Sequence, residues 1–206
     1  MSRDKAGAWP RRTAAAFADT EADARKWLEP LADGPQLPQR HPDLFQEASF
    51  ASLDEVTSHM FLEDRRCAAD AFTFNATPGE ALTRLQDQAV AAPSPESFML
   101  LALPSPRPPD APALPDMAFS MPGSIFAGIY AIWQDPAQDV ANRQWVRQAS
   151  KAVDPITVGR YIGETDLTAD ASHAQQSFTP PNWQRLRSLR QKYDPYDVFF
   201  DYLGPG

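Results

Sequence analysis

A single cysteine, Cys67, is the only thiol in the chain. That excludes an internal disulfide and any cysteine-based zinc cluster. With Ala68 and Ala69 beside it, the thiol is expected to pack as a small hydrophobe. Histidine is almost as scarce. His41, His59 and His173 lie far apart and match no metal-ligand spacing. Glycine is thin at nine residues, and neither G-x-G-x-x-G nor G-x-x-x-x-G-K-[ST] occurs, so no phosphate-cradling loop is encoded. G-x-S-x-G and H-E-x-x-H are also missing, which removes the usual signs of a serine hydrolase or a zinc protease. No apolar run reaches membrane-spanning length. The opening Met1-Ser2-Arg3-Asp4-Lys5 lacks the apolar core of a signal peptide, so the expectation is a cytoplasmic protein without membrane contact. Lys and Arg number 19 against 27 Asp and Glu, a net charge of -8. Such a chain would release few counterions from a phosphate backbone, and nucleic acid is not an expected partner.

What is present is enough for a folded domain. Of 206 residues, 43% are apolar and 22% charged, which supports a real core. The 21 prolines are about twice the usual share. The run from Pro104 to Pro115 cannot supply the amide donors of a helix or central strand and reads as an extended surface loop. A second loop covers Gly34 to Pro42.

Between the loops, helix and strand signals are interspersed. Thr13 to Ala18 is short, apolar and strand-like. Thr20 with Asp23 predicts a helix N-terminus, with Ala24, Trp27, Leu28 and Leu31 on one face. Ser52 with Glu55 reads as a capping box ahead of Val56 and Met60. Ala71 to Asn75 is strand-like. Thr77-Pro78-Gly79-Glu80 combines a cap, a proline in the first turn and an acid, a strong helix start leading to Ala81, Leu82, Leu85 and Ala89. Further strands are expected at Phe98 to Leu103, Ala118 to Met121, Ile125 to Trp133 and Val158 to Ile162. Ile125 to Trp133 is apolar on both faces, with Phe126, Tyr130 and Ile132 against Ile125, Ile129 and Trp133, and belongs in the middle of a sheet. Asp135-Pro136 opens a helix to about Val153. Thr179 caps a last helix with Trp183, Leu186, Leu189 and Tyr193 on its buried side, ended by Asp194-Pro195. The pattern predicts an α+β fold, an antiparallel sheet with helices packed on one face.

The residues that say more are C-terminal. They read Gly159-Arg160-Tyr161-Ile162-Gly163-Glu164-Thr165-Asp166, then Phe178-Thr179-Pro180-Pro181-Asn182-Trp183, then Tyr193-Asp194-Pro195-Tyr196-Asp197-Val198-Phe199. An aromatic strand, a Trp-led helix and this exit resemble the C-terminal signature of berberine-bridge-enzyme-type FAD-linked oxidoreductases. Phe17-Ala18-Asp19-Thr20-Glu21, Asp116 to Met121, Tyr130-Ala131-Ile132-Trp133 and Asn142-x-x-Trp145 resemble other parts of that family's substrate domain.

The resemblance implies a substrate-binding α+β domain over 1–166 and a berberine-bridge-type segment over 167–206 that docks on a flavin domain, with the FAD-binding domain absent. It implies FAD, held mainly by a domain or subunit outside this chain, and a small-molecule substrate. Where the family carries Tyr-x-Asn-Tyr, this chain has Tyr161, Ile162, Gly163 and Glu164. Tyr161 and Glu164 are therefore the candidate catalytic residues, a carboxylate taking the place of the second tyrosine as base. Desolvation beside a flavin ring would raise its pKa toward a useful range. The implied cofactor contacts are Tyr161, Gly163 and Asp201. Phe119, Met121, Tyr130 and Trp133 are the candidate substrate contacts, with core packing as their alternative role. The leading functional expectation is the substrate-domain half of an FAD-dependent oxidoreductase. A non-catalytic ligand-binding or assembly module is the second. A self-contained enzyme of unrelated chemistry is the third, and no nucleophile-base pair supports it.

Overall fold

Side-chain alternation along apolar stretches builds one antiparallel sheet. A computed structural model of the chain describes residues 14–32, 47–58, 60–61, 63–103, 110, 112, 117–121 and 123–201. The strands are β1 (Arg66–Phe74), β2 (Phe98–Ala102), β3 (Ile125–Trp133) and β4 (Thr157–Arg160), in the order β2-β3-β1-β4. β1 and β3 pair along their whole length, from Arg66 opposite Trp133 to Phe74 opposite Ile125. The helices are α1 (Glu21–Ala32), α2 (Phe50–Ser58), α3 (Pro78–Val90), α4 (Asp139–Val153) and α5 (Pro180–Tyr193). The class is α+β, as the sequence predicts.

The chain divides into two compact units, Met1–Glu63 and Asp64–Gly206. The first carries α1 and α2, the second the sheet and the remaining helices. This division describes compactness. The 1–166 and 167–206 boundaries implied by the resemblance describe docking on a partner instead.

In the second unit, α3 and α4 close one face of the sheet. Phe72 and Phe74 of β1 and Ile125, Ile129 and Trp133 of β3 pack there with Leu85, Trp145, Val146, Ala149 and Val153. Each fully buried large side chain contributes about 1.5–3 kcal/mol by leaving water. The helix starts follow from local chemistry. Thr77 accepts the Glu80 N–H at 3.2 Å ahead of Pro78. Asp135 accepts the Ala137 N–H at 2.9 Å and caps a short 3₁₀ turn that runs into α4. The Trp145 indole donates to the Gln88 carbonyl at 2.8 Å and pins α4 to the last turn of α3.

Several expectations need correction. Residues 14–18 are irregular rather than a strand. The α2 cap lies three residues earlier than expected: Ser49 and Ser52 exchange hydrogen bonds, each hydroxyl accepting the other's backbone N–H at 3.1 and 2.8 Å. β1 starts at Arg66, because pairing with β3 overrides the weak strand preference of Ala68 and Ala69. The segment 118–121 joins no ladder. Its backbone groups are bound elsewhere: the Met121 carbonyl by Thr73 Oγ1 at 2.6 Å, the Ala118 carbonyl by Asn182 Nδ2 at 3.3 Å. α5 contains no buried residue, although Leu189 and Tyr193 are expected on a packed side. The expected loop over Gly34 to Pro42, most of the Pro104 to Pro115 run, and His41 and His59 lie outside the described residues.

Candidate functional site

One irregularity in β4 sets up the site. Thr157 sits opposite Phe74 and Arg160 opposite Phe72, so three steps of chain match two and the strand carries a bulge. Both residues therefore face the helices. Without the extra residue, Arg160 and Tyr161 would exchange faces. On the helix side the Arg160 guanidinium is buried. It donates to Asp70 Oδ2 at 2.7 Å, Asp154 Oδ1 at 2.9 Å and Gln176 Oε1 at 2.9 Å, and lies 4.7 Å from the Phe72 ring centroid. Asp70 also accepts from Ser150 Oγ at 2.8 Å. Every strong group in this cluster has partners, as burial requires.

Tyr161 emerges on the second face. Its N–H donates to the Ala71 carbonyl at 3.0 Å, and its own carbonyl accepts the Glu164 N–H at 3.0 Å. That last bond closes a β-turn over 161–164, which brings the side chains of Tyr161 and Glu164 to one end of the sheet. Thr165 Oγ1 reinforces the turn with a 2.8 Å bond to the Tyr161 carbonyl. Gly163 is needed for the ring: a Cβ there would lie 3.0 Å from Tyr161 Cε1, so a larger residue would press the ring aside.

Tyr130, on β3, meets this turn from across the sheet. Its hydroxyl donates to Glu164 Oε2 at 2.7 Å, and its ring stacks on Phe98 with centroids 4.8 Å apart. The ring also lies over Gly128, where a Cβ would come within 2.4 Å of the hydroxyl oxygen. Loss of surrounding water, the bond to Glu164 and the charge of Glu164 together push the Tyr130 phenol far above its ordinary pKa. It stays a donor throughout the physiological range.

Phe119 and Phe126 meet Tyr161 edge-on, with centroids 6.0 and 6.1 Å away. Met121 borders the same strand end, its Cβ 2.3 Å from where a Gly159 Cβ would be. The structure thus brings Tyr161, Gly163, Glu164 and Tyr130 together on the second face, with Phe119 against the Tyr161 ring and Met121 farther along the sheet beside Gly159. Tyr161 is 41% exposed and Glu164 half-buried.

Two expected site residues lie elsewhere. Trp133 is a correction. It sits on the helix face, 1% exposed, and its indole donates to Asp139 Oδ1 at 2.8 Å. Alternation puts residues 130 and 133 on opposite faces of one strand. Asp201 belongs to a separate tail cluster, where Arg190 Nε meets its Oδ2 at 2.8 Å. Arg190 also pairs with Asp194 at 2.8 Å and Asp197 at 3.3 Å.

Cys67 needs a second correction. It is exposed rather than packed, and it lies on the face that carries Tyr130. Partial loss of water and then the Glu164 charge raise its thiol pKa, so it is a neutral neighbour of the site and a poor nucleophile. Its parity relative to Phe72 and Phe74 would have placed it on that face, had the strand been extended back to Arg66. Phe98 and Phe126 were likewise legible only as strand residues.

Ring side chains and one carboxylate meet here, the side-chain types that would border a flat ring and a substrate. No glycine-rich loop is present for a diphosphate, so the nucleotide portion of FAD has no holder among the described residues.

This sheet, with its flanking helices, is an architecture shared with flavoenzymes. The chain is similar to part of an FAD-linked oxidoreductase, nodO of Hypoxylon pulicicidum, at 27% identity over 82 residues, which are 40% of this chain and 18% of that protein. Among solved structures, it superposes on CrmK, a flavoenzyme involved in shunt product recycling in caerulomycin biosynthesis. The TM-score is 0.54 at 19% identity, over 67% of this chain and 32% of that one. It also superposes on GilR, an oxidoreductase that catalyses the terminal step of gilvocarcin biosynthesis, with a TM-score of 0.52 at 21% identity, over 66% and 32%. The chain therefore spans about a fifth of the curated relative and about a third of each flavoenzyme. No family model matches it. Among the described residues no helix is long and apolar enough to cross a membrane.

Proposed function

We propose that this chain is the substrate-binding part of an FAD-dependent oxidoreductase. It acts with an FAD-binding domain or subunit on a small organic substrate of the alcohol type, in the cytoplasm. The observation that carries this reading is the placement of Glu164 beside Tyr161 at an accessible end of the second sheet face, bonded to Tyr130.

In this reading, Glu164 accepts the proton of the substrate hydroxyl, and the carbon-bound hydrogen leaves as hydride with its electron pair. FAD, when bound, supplies the hydride acceptor. Tyr161, Phe119 and Phe126 form the apolar walls that hold the substrate and keep water from the reacting carbon.

The tail supports a docking role. Tyr193, Tyr196, Val198, Phe199 and Phe200 are all exposed, Tyr196 to 87%. Five large apolar side chains exposed within eight residues of chain are what a docking segment needs. It is held in shape by Arg190, which bonds the Phe199 carbonyl, and by Asp194, which accepts the Val198 and Phe199 N–H groups at 2.8 and 3.0 Å.

The test is reconstitution. The purified chain is mixed with an FAD-binding polypeptide encoded beside it, and visible flavin absorbance and alcohol oxidation are recorded. Complex formation with turnover is expected, and Glu164→Gln should lower kcat by about 10²–10⁴-fold while the complex still forms. A complex whose turnover ignores that change would favour the second reading, a non-catalytic binding or assembly module. The presence of Gly163 and Glu164 where the family has asparagine and tyrosine supports that second reading. Failure to bind any flavin polypeptide would overturn the first.

A further inference from the structure

We propose that Tyr130 is a positioning residue for Glu164: its hydroxyl holds one carboxylate oxygen at 2.7 Å and leaves the other as the acceptor for a substrate O–H or N–H. The proposal rests on the reading of Glu164 as the base and gives Tyr130 a role other than donating to substrate.

Three observations carry it. First, the Tyr130 ring has nowhere to go. It is buried, stacked on Phe98 and laid across Gly128, which has no side chain to lift it. Second, its single hydrogen is committed to Glu164 and remains on the oxygen at any working pH. Third, Glu164 is a long side chain on a turn with several rotamers available, so its direction is fixed only by what it bonds. Among the described residues its Oε1 atom has no donor, which leaves one acceptor oxygen for an incoming ligand. Cys67 beside it is uncharged, because water loss and the Glu164 charge raise its pKa. The mouth of the site therefore offers a negative acceptor. It favours alcohols, phenols and ammonium groups and repels carboxylate-bearing substrates.

Cys67 makes this testable without any flavin partner. It is exposed and is the only thiol in the chain, so the pH dependence of its alkylation by iodoacetamide reports its thiolate fraction. In the full-length chain, Glu164→Gln removes the nearby charge that helps hold the thiol pKa up, and should speed alkylation at pH 8 by about threefold. Tyr130→Phe keeps the ring stack and loses only the hydroxyl. In that background the effect of Glu164→Gln should shrink to nearly nothing, because the carboxylate is no longer held near the thiol. Gly128→Ala, which pushes the ring off its seat, should do the same. Near-UV circular dichroism checks that each variant keeps its packing.

An undiminished effect of Glu164→Gln in both backgrounds overturns the proposal. So does a Glu164→Gln variant that alkylates at the parent rate, since the carboxylate would then not sit where the hydrogen bond requires. These results are independent of turnover. Tyr130 can prove dispensable for holding Glu164 while Glu164→Gln still abolishes oxidation in the reconstituted complex. Tyr130 can equally hold Glu164 in a chain that catalyses nothing.

Discussion

The two faces of the sheet treat charge in opposite ways. On the helix side, Arg160 and Asp70 are almost completely buried, and each makes several hydrogen bonds. On the other side, Glu164 is half-buried with one oxygen bonded to Tyr130. A fully paired buried cluster fixes register and cannot easily do anything else, since any unpaired member would carry a large desolvation cost. A carboxylate with spare capacity can receive a ligand. The difference separates a group that holds the fold from one available for chemistry, although Arg160 and Glu164 are only four residues apart.

The sharpest way to break this comparison is to remove the buried cation. Arg160→Met leaves the buried Asp70 short of its main partner, and a loss of about 3–5 kcal/mol is expected in urea unfolding. A loss below about 1 kcal/mol would mean the cluster is not the register lock described above. A smaller effect is expected at the cap beneath the same face. Thr77→Ala removes the acceptor for the Glu80 N–H and should cost about 1 kcal/mol by the same measurement.

The tail tests a third polar cluster, and here pH is the probe. Loss of water pushes the Asp194 carboxyl up, but the N–H groups of Phe199 and Val198 and the charge of Arg190 outweigh it and hold its pKa below the ordinary value. A depressed carboxylate contributes stability that is fully present above its unfolded pKa and disappears as pH falls through the folded one. The Val198 and Phe199 amides should therefore lose hydrogen-exchange protection once pH drops below about 4, before the sheet unfolds. Amides that stay protected as long as β3 does would show that Asp194 does not hold the tail.

The smallest expected change is on the second face. Glu164→Gln should alter global stability by no more than about 0.5 kcal/mol, because the amide oxygen of Gln can still accept the Tyr130 hydroxyl. A cost as large as that of Arg160→Met would make Glu164 structural and erase the contrast between the faces.

Much of the fold is legible in the sequence. Thr77-Pro78-Gly79-Glu80 gave α3 its start, and the two-sided apolar run from Ile125 to Trp133 gave β3 its bounds and its place within the sheet. The candidate site was legible in part. Tyr161 and Glu164 were named from a motif resemblance, and alternation alone separates Tyr130 from Trp133. The Tyr130–Glu164 bond was not legible, because it joins residues 34 positions apart across a sheet whose strand order the sequence does not state. The outward direction of Cys67 is illegible for a related reason. Small neighbours such as Ala68 and Ala69 fit either a core or an edge, and only pairing with β3 determined which way the thiol points. Ala118 to Met121 has the composition of a strand, but its hydrogen-bonding groups found Thr73 and Asn182 first.

The sequence by itself determined the elements, through caps, prolines and the period of its apolar residues, all of which act within a few neighbouring residues. It also determined what chemistry is on offer: a carboxylate three residues after Tyr161, and no glycine-rich phosphate motif. Tertiary structure decided which side chains share a face. One extra residue in β4 sends Arg160 inward and Tyr161 outward, and such a bulge has no local sign, because it exists only relative to the strand it pairs with.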